Sequence, residues 1–163
     1  MQQAWVVDTN VLIVANGGAS QADNACEDAC EKFLGDLYSS FRSLVLDEGG
    51  EILAEYAKHC SHSGAPGLGD HFFAWAFSAQ HTSCLRVPLE KNEDGSYADF
   101  PKATELSKFD PSDRKFVAAA LACDEDPTIA NAVDSDWLES RAALDAAAVR
   151  VHELCPGCLK SVE

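Results

Sequence analysis

The strongest constraint on the fold is a recurring pattern in which a short apolar run ends abruptly in an acidic residue and a helical segment follows. Residues 4–7 form one such run, which ends in Asp8, and residues 128–133 form a second predicted strand, in which Ala132-Val133 leads directly into Asp134. Short apolar runs of this kind are typical of strands buried in a parallel sheet. Because strands alternate with helices along the chain, we expect a three-layer α/β/α domain with a mainly parallel central sheet.

The other predicted elements fit a single domain that comprises residues 1–163. Further strands are predicted at residues 43–46, 85–89 and 149–154. Apolar residues at helical spacing predict helices at residues 11–15, 22–41, 110–123 and 137–147. Two more helices are expected, one capped by Asp47 and reaching about residue 60, and an aromatic one capped by Asp70. The dipeptide Asp94-Gly95 predicts a hairpin inserted at the margin of the sheet.

The composition is ordinary except for its acidity. No apolar run is long enough to span a bilayer, so we expect a cytoplasmic protein without a membrane partner. The seven cysteines are an odd number, which argues against a closed disulfide framework. The net charge is −15, whereas proteins that hold nucleic acid by its phosphates usually carry excess Lys and Arg. Two explanations stay open: carboxylates gathered to hold cations, or a generally acidic surface.

Four acids are candidates for one common site. Sites in open α/β sheets form beyond the carboxyl ends of the strands, where Asp8 and Asp134 lie. Glu55 lies about 60° from Ile52 around its helix, at the border of the apolar stripe, and is placed to point into a cleft. Asp113 shares the inward face of the next helix with Val117, and an inward carboxylate is costly unless it is paired or bound to a metal.

Gathering four carboxylates is repulsive unless a cation joins them. Mg²⁺ and Mn²⁺ prefer oxygen ligands, so the sequence predicts a site for one of them, with Asp136 as an auxiliary ligand. Such a site can activate water and stabilise the charge on a transferring phosphoryl group. Arg114 and Lys115 begin the helix that carries Asp113 and are the best candidates for phosphate contacts.

Four segments in this order resemble the PIN-domain family, which includes the nuclease toxins of toxin–antitoxin pairs. They are Val6-Val7-Asp8-Thr9-Asn10-Val11-Leu12, Glu51-Ile52-Leu53-Ala54-Glu55-Tyr56, Asp110-Pro111-Ser112-Asp113-Arg114-Lys115-Phe116 and Val133-Asp134-Ser135-Asp136-Trp137-Leu138. The family's acids fall on Asp8, Glu55, Asp113 and Asp134, and the polar residue after its first acid falls on Thr9 or Asn10. Asn131 is the polar residue nearest before the last acid.

The resemblance implies a PIN-like fold and a metal-dependent ribonuclease in which a metal-activated water hydrolyses RNA phosphodiester bonds, usually in single-stranded regions. It also implies a homodimer and, for the toxins, an antitoxin protein as partner. Asp8, Glu55, Asp113 and Asp134 would be catalytic and metal-binding, Asp136 an additional metal ligand, and Thr9 and Asn10 substrate contacts.

Three alternatives stay open. An aspartyl-phosphate α/β protein would use Asp8 as the acceptor, although Asp8-Thr9-Asn10 lacks the second aspartate of the haloacid-type motif. A catalytically silent PIN-like domain would bind RNA or a protein. Separately, Cys155-Pro156-Gly157-Cys158 is a CxxC that would form a zinc site if Cys26 and Cys30 joined it, although those two fit a buried helix stripe equally well.

Overall fold

The architecture is a five-stranded sheet in which each strand pairs with its neighbours in parallel. A computed structural model describes residues 3–39 and 43–159. Its strands are Ala4–Val7 (β1), Ser43–Asp47 (β2), Cys84–Val87 (β3), Thr128–Asn131 (β4) and Arg150–Glu153 (β5). They lie in the order β3-β2-β1-β4-β5, and every pair of neighbours is parallel. The predicted α/β class is confirmed, and the sheet is parallel throughout.

Seven α-helices within the described residues cover this sheet. They are Thr9–Ala15 (α1), Asn24–Ser39 (α2), Glu51–Ala57 (α3), Leu68–Ala79 (α4), Arg114–Ala122 (α5), Ser135–Glu139 (α6) and Arg141–Ala146 (α7). Helices α1, α2 and α4 pack on one another, and α5 packs on β1, β2 and β4. Connections between parallel strands are right-handed, so the reversal of strand order after β3 sends the later helices to the opposite face. The arrangement is a three-layer α/β/α sandwich.

The reversal in strand order creates a crevice at one end of the sheet. The chain proceeds from β1 outwards to β2 and β3, then crosses to β4 and β5 on the other side of β1. The connections that follow β1 and β4 therefore diverge, which leaves a crevice at the carboxyl ends of these two strands. Asp8 directly follows β1, and Asp134 follows β4 by three residues.

Several helix starts differ from the expectation. Asp47 is the last residue of β2 rather than an N-cap, and Gly50, with φ of 78°, occupies that position. The Asp47 carboxylate still satisfies the helix start, because it accepts hydrogen bonds from the backbone N–H groups of Glu51 and Ile52, each at 2.8 Å. Asp70 lies in the first turn of α4, where its carboxylate accepts a hydrogen bond from the N–H of Gly67, the actual N-cap.

Helix ends also differ in places. The helix expected at residues 137–147 begins earlier, at Ser135, and is divided into α6 and α7 at Ser140. The helix that follows β2 ends at Ala57, before residue 60. Phe41, at the predicted end of the second helix, lies outside the described residues. The expected hairpin is a small turn outside the sheet, with one antiparallel bridge between Lys91 and Tyr97.

One covalent link was not expected from the odd cysteine count. Cys26 of α2 and Cys155, just after β5, form a disulfide. The other cysteines, at positions 30, 60, 84, 123 and 158, are free thiols. In the described ranges, none of the helices has both the length and the apolar character needed to cross a lipid bilayer.

Candidate metal centre

Asp8 is fixed at the centre of the crevice by donors on two sides. It is the N-cap of α1, and its Oδ1 accepts hydrogen bonds from the Asn10 backbone N–H at 2.8 Å and from the Asn10 side-chain amide at 2.6 Å. Its Oδ2 accepts a hydrogen bond from the Trp137 indole N–H at 2.9 Å. Only 3% of the surface of Asp8 is exposed, and the hydrogen bonds from Asn10 and Trp137 fix the orientation of its carboxylate.

Asp113 reaches the same crevice from the opposite direction. A short 3₁₀ turn, Pro111–Asp113, ends at this residue, and α5 begins immediately after it. Asp110 caps the turn by accepting a hydrogen bond from the Ser112 N–H at 2.9 Å. Only 8% of Asp113 is exposed, and its Oδ2 has no hydrogen-bond partner among the described residues. The predicted inward orientation of Asp113 is therefore observed.

The three carboxylates of Asp8, Asp113 and Asp134 form one compact group. One oxygen of each lies within 4.8 Å of the corresponding oxygens of the other two. Asp134 is half-buried and caps α6, with its Oδ1 accepting a hydrogen bond from the Asp136 backbone N–H at 3.0 Å. We call these three residues the carboxylate triad.

The electrostatics of the triad are unfavourable in the absence of a cation. Burial, opposed in part by hydrogen bonds from Asn10 and Trp137, raises the pKa of Asp8, and the charge of Asp134 adds to the increase. Burial also raises the pKa of Asp113 strongly, and the charges of Asp8 and Asp134 raise it further. Both shifts express the same cost, which is the placement of several negative charges in a space of low polarity.

A side-chain network fixes the geometry of the two strand ends that carry the triad. The Asn10 amide donates a hydrogen bond to the Asn131 Oδ1 at 2.8 Å, and the Asn10 Oδ1 accepts hydrogen bonds from the backbone N–H groups of Ala132 and Val133. The Asn131 amide in turn donates a hydrogen bond to the backbone carbonyl of Asp134 at 2.9 Å. Asn10 and Asn131 therefore lock the segment between β4 and Asp134 against the start of α1.

Asp136 belongs to a second, more open group rather than to the triad. One oxygen each of Asp110, Asp113 and Asp136 lies within 4.8 Å of the others. Burial and the neighbouring charge of Asp134 raise the pKa of Asp136. Asp113 belongs to both groups. Its carboxylate therefore connects the triad to a second cluster of oxygens nearer the surface.

The position of Glu55 differs from the expectation. Its carboxylate was expected to join those of Asp8, Asp113 and Asp134, but it belongs to neither carboxylate group. Its Oε2 lies 3.0 Å from Lys58 Nζ and 3.6 Å from Lys115 Nζ. Partial burial raises the pKa of Glu55, but the hydrogen bond from Lys58 and the charge of Lys115 outweigh it, and the net shift is downward. Glu55 is thus an ionised group that connects α3 to the start of α5.

The predicted substrate contacts are in different situations. The Arg114 guanidinium is engaged within the fold, where it donates hydrogen bonds to the carbonyls of Ser107 and Phe109 and lies 4.9 Å from the ring centre of Phe100. Lys115 donates one hydrogen bond, to the Ser112 carbonyl at 2.8 Å. Thr9 is buried beside Asp8, and its hydroxyl has no partner within the described part of the chain.

Two residues of this region were not singled out from the sequence. Trp137 is fully buried and orients Asp8 through its indole N–H. Glu153, at the end of β5, accepts a hydrogen bond from the Asn131 amide at 2.6 Å, and burial raises its pKa. The position of Glu153 at the carboxyl end of a parallel strand was the available signal, because that edge is where polar groups of a site collect.

Comparisons of the chain with protein-family models, with curated proteins and with solved structures found no match. The geometry of the carboxylate triad is therefore the feature of the structure that bears on function.

The triad predicts an unusual response of stability to pH. Because the pKa of Asp113 is raised in the folded protein, its contribution to stability is present below about pH 4, the ordinary aspartate pKa, and is lost as the pH rises towards the raised value. Asp113→Asn removes this titration. In chelator at about pH 8, the variant should exceed the wild type in unfolding free energy by roughly 1–3 kcal/mol, the usual cost of a buried unsatisfied group.

Urea denaturation of both proteins from about pH 5 to about pH 8 measures this difference, within the range where raised carboxyl pKa values act. Asp145→Asn, the same chemical change on the exposed face of α7, is the matched control and should follow the wild-type curve. An Asp113→Asn variant that is less stable than the wild type at every pH would show that Asp113 stabilises the fold rather than burdening it.

Proposed function

We propose that this protein is a divalent-metal-dependent ribonuclease whose metal is held by Asp8, Asp113 and Asp134. The observation that carries the proposal is the buried Asp113 carboxylate. Its Oδ2 accepts no hydrogen bond from the described residues, and one of its oxygens lies within 4.8 Å of carboxylate oxygens of Asp8 and Asp134. Buried carboxylates that repel one another and are left without donors are costly unless a cation pairs with them.

The donor set suits a hard cation. All three ligand atoms are carboxylate oxygens, which Mg²⁺ and Mn²⁺ prefer over the nitrogen and sulfur ligands of softer metals. When bound, such a cation lowers the pKa of a water ligand and stabilises the charge that develops on a phosphoryl group. That chemistry fits hydrolysis of a phosphodiester, in which Asp8 would bind the metal while Asn10 and Trp137 orient its carboxylate.

The chain's own residues contribute orientation and charge. Asn10 and Trp137 fix the plane of the Asp8 carboxylate, and the Asp136 N–H fixes Asp134. Asp113 must release its proton to become a ligand, so metal affinity should rise with pH. The more open group of Asp110, Asp113 and Asp136 gives Asp136 the auxiliary role that the resemblance to PIN domains suggests.

Glu55 and Lys115 are best placed to handle the substrate rather than the metal. Lys115 carries three N–H donors, of which one is used on the Ser112 carbonyl, and its partner Glu55 lies 3.6 Å away. A phosphate can therefore take a second donor of Lys115 while Glu55 keeps the ammonium in position.

The choice of RNA as substrate comes from the resemblance to PIN domains, and so does a role as the toxin of a toxin–antitoxin pair. The net charge of −15 is consistent with the proposal if bound cations supply the positive potential that attracts phosphate.

Cleavage of a labelled single-stranded RNA in Mn²⁺ or Mg²⁺ tests the proposal. The wild type should cleave the RNA, and EDTA should abolish cleavage. Asp134→Asn and Asp8→Asn should each lower the rate by roughly a hundredfold or more, because a lost ligand removes several kcal/mol of transition-state stabilisation. Asp145→Asn, on the exposed face of α7, should cleave at the wild-type rate.

The other outcomes distinguish the alternatives. Cleavage that survives EDTA, or that Asp8→Asn and Asp134→Asn leave unchanged, contradicts the proposal. RNA binding without cleavage in either metal indicates a silent binding domain, and an acid-labile phosphate on Asp8 indicates an aspartyl-phosphate protein. A single-stranded DNA of the same sequence, tested in parallel, separates a ribonuclease from a general phosphodiesterase.

A second prediction concerns Lys115. Lys115→Met should lower kcat/KM for RNA by about tenfold or more, the usual loss for a charged hydrogen bond, without changing the Mn²⁺-induced increase in Tm. Lys58→Met is the matched control, since Lys58 also pairs with Glu55 but its side chain is 67% exposed. Equal effects of the two variants would show that the lysines act only through Glu55.

A further inference from the structure

Four of the seven cysteines lie where α2 faces the segment that follows β5. None of them belongs to the carboxylate triad. Cys26 and Cys30 lie one turn apart on the same face of α2. Cys155 and Cys158 bracket the short 3₁₀ turn Pro156–Cys158, which follows β5. The two pairs thus approach each other from opposite ends of the chain.

One separation between sulfur atoms already suits a tetrahedral metal site, while Cys26 and Cys155 are joined as a disulfide and must be reduced before they can bind metal. The Sγ atoms of Cys26, Cys30 and Cys155 all lie within 4.8 Å of one another, and Cys30 Sγ is 3.9 Å from Cys155 Sγ. Zinc–sulfur bonds of ~2.3 Å place the sulfurs of a tetrahedral site about 3.8 Å apart. The separation of Cys30 from Cys155 already matches that edge.

Cys158 is the candidate for the fourth sulfur. It lines a cavity of about 210 Å³ together with Cys26 and Cys155, and its sulfur lies outside the group of three within 4.8 Å, so it must move closer when the metal binds. The turn is closed by a hydrogen bond from the Cys158 N–H to the Cys155 carbonyl at 3.0 Å. This hydrogen bond holds the two cysteines of the CxxC at the two ends of one tight turn.

The spacing supports the same assignment. Structural zinc sites use pairs of cysteines separated by two to four residues. Cys26 and Cys30 are separated by three residues, and Cys155 and Cys158 by two. The disulfide between Cys26 and Cys155 uses only two of these four sulfurs and leaves Cys30 and Cys158 as thiols. A four-thiolate site uses all of them.

We propose that, under reducing conditions, Cys26, Cys30, Cys155 and Cys158 bind one structural Zn²⁺. A dithiol reductant gives two electrons and two protons to the Cys26–Cys155 disulfide and itself becomes a disulfide. Zn²⁺ then displaces four thiol protons and forms four Zn–S bonds. With four protein ligands the site is closed to substrate, so its role is structural. It ties the segment after β5 to α2.

Metal analysis of the full-length protein, purified with a dithiol and without chelator, tests the proposal. We expect one Zn²⁺ per chain, which Co²⁺ can replace with the visible absorption of tetrahedral thiolate coordination. Cys30→Ser and Cys158→Ser change the two cysteines outside the disulfide, and each should reduce the bound zinc strongly. Cys123→Ser, at a half-buried cysteine away from the cluster, should retain it.

The contrary results are equally specific. Wild-type protein that holds no zinc although its mass spectrum shows the Cys26–Cys155 disulfide to be reduced overturns the proposal. So does zinc content that neither Cys30→Ser nor Cys158→Ser alters. If Cys30→Ser fails to fold because Cys30 is fully buried, the half-buried Cys158 and the Co²⁺ spectrum of the wild type still decide. Asp8→Asn should keep the zinc, which separates this inference from the nuclease proposal.

Discussion

The mutual repulsion of Asp8, Asp113 and Asp134 is the interaction on which the rest of this structure depends. The fold places these carboxylates together at the carboxyl ends of β1 and β4 and buries two of them almost completely. Protein donors hold Asp8 and Asp134, but one oxygen of Asp113 is buried without a donor in the described chain. An arrangement that costs stability in this way is typical of a functional site, because the missing interaction is the one that a ligand supplies.

The surrounding structure is built to maintain this unfavourable geometry. Asn10 contacts Asp8, Asn131 and the backbone after β4 with one side chain, so that the two strand ends cannot separate independently. The Tyr56 hydroxyl donates a hydrogen bond to the Val7 carbonyl at 2.6 Å, which ties α3 to the residue just before Asp8. A site that is oriented in advance spends less free energy on ordering when its ligand arrives.

The sequence predicts the parts of this site that follow from regular structure. Asp8 and Asp134 could be found because buried parallel strands appear as short, largely apolar segments, and their ends mark the edge where sites form. Asp113 could be found because helical periodicity places it on the same face as Val117. The fold class follows from the alternation of the same elements.

The remaining contacts depend on neighbours that no local pattern specifies. Glu55 lies at the border of its helix as expected, but the lysine that reaches it belongs to α5, and periodicity within α3 cannot reveal that partner. The hydrogen bond from the Trp137 indole N–H to the Asp8 carboxylate joins residues 129 positions apart in the sequence. Likewise, Cys26 and Cys155 meet only because β5 returns the chain to α2.

Anomalous diffraction from crystals soaked in Mn²⁺ at a pH above the ordinary aspartate range tests the central claim most directly. The account predicts a manganese peak in direct coordination with oxygens of Asp8, Asp113 and Asp134, including the Asp113 oxygen that has no hydrogen-bond donor. A map at saturating Mn²⁺ with no manganese peak between these three residues would contradict it.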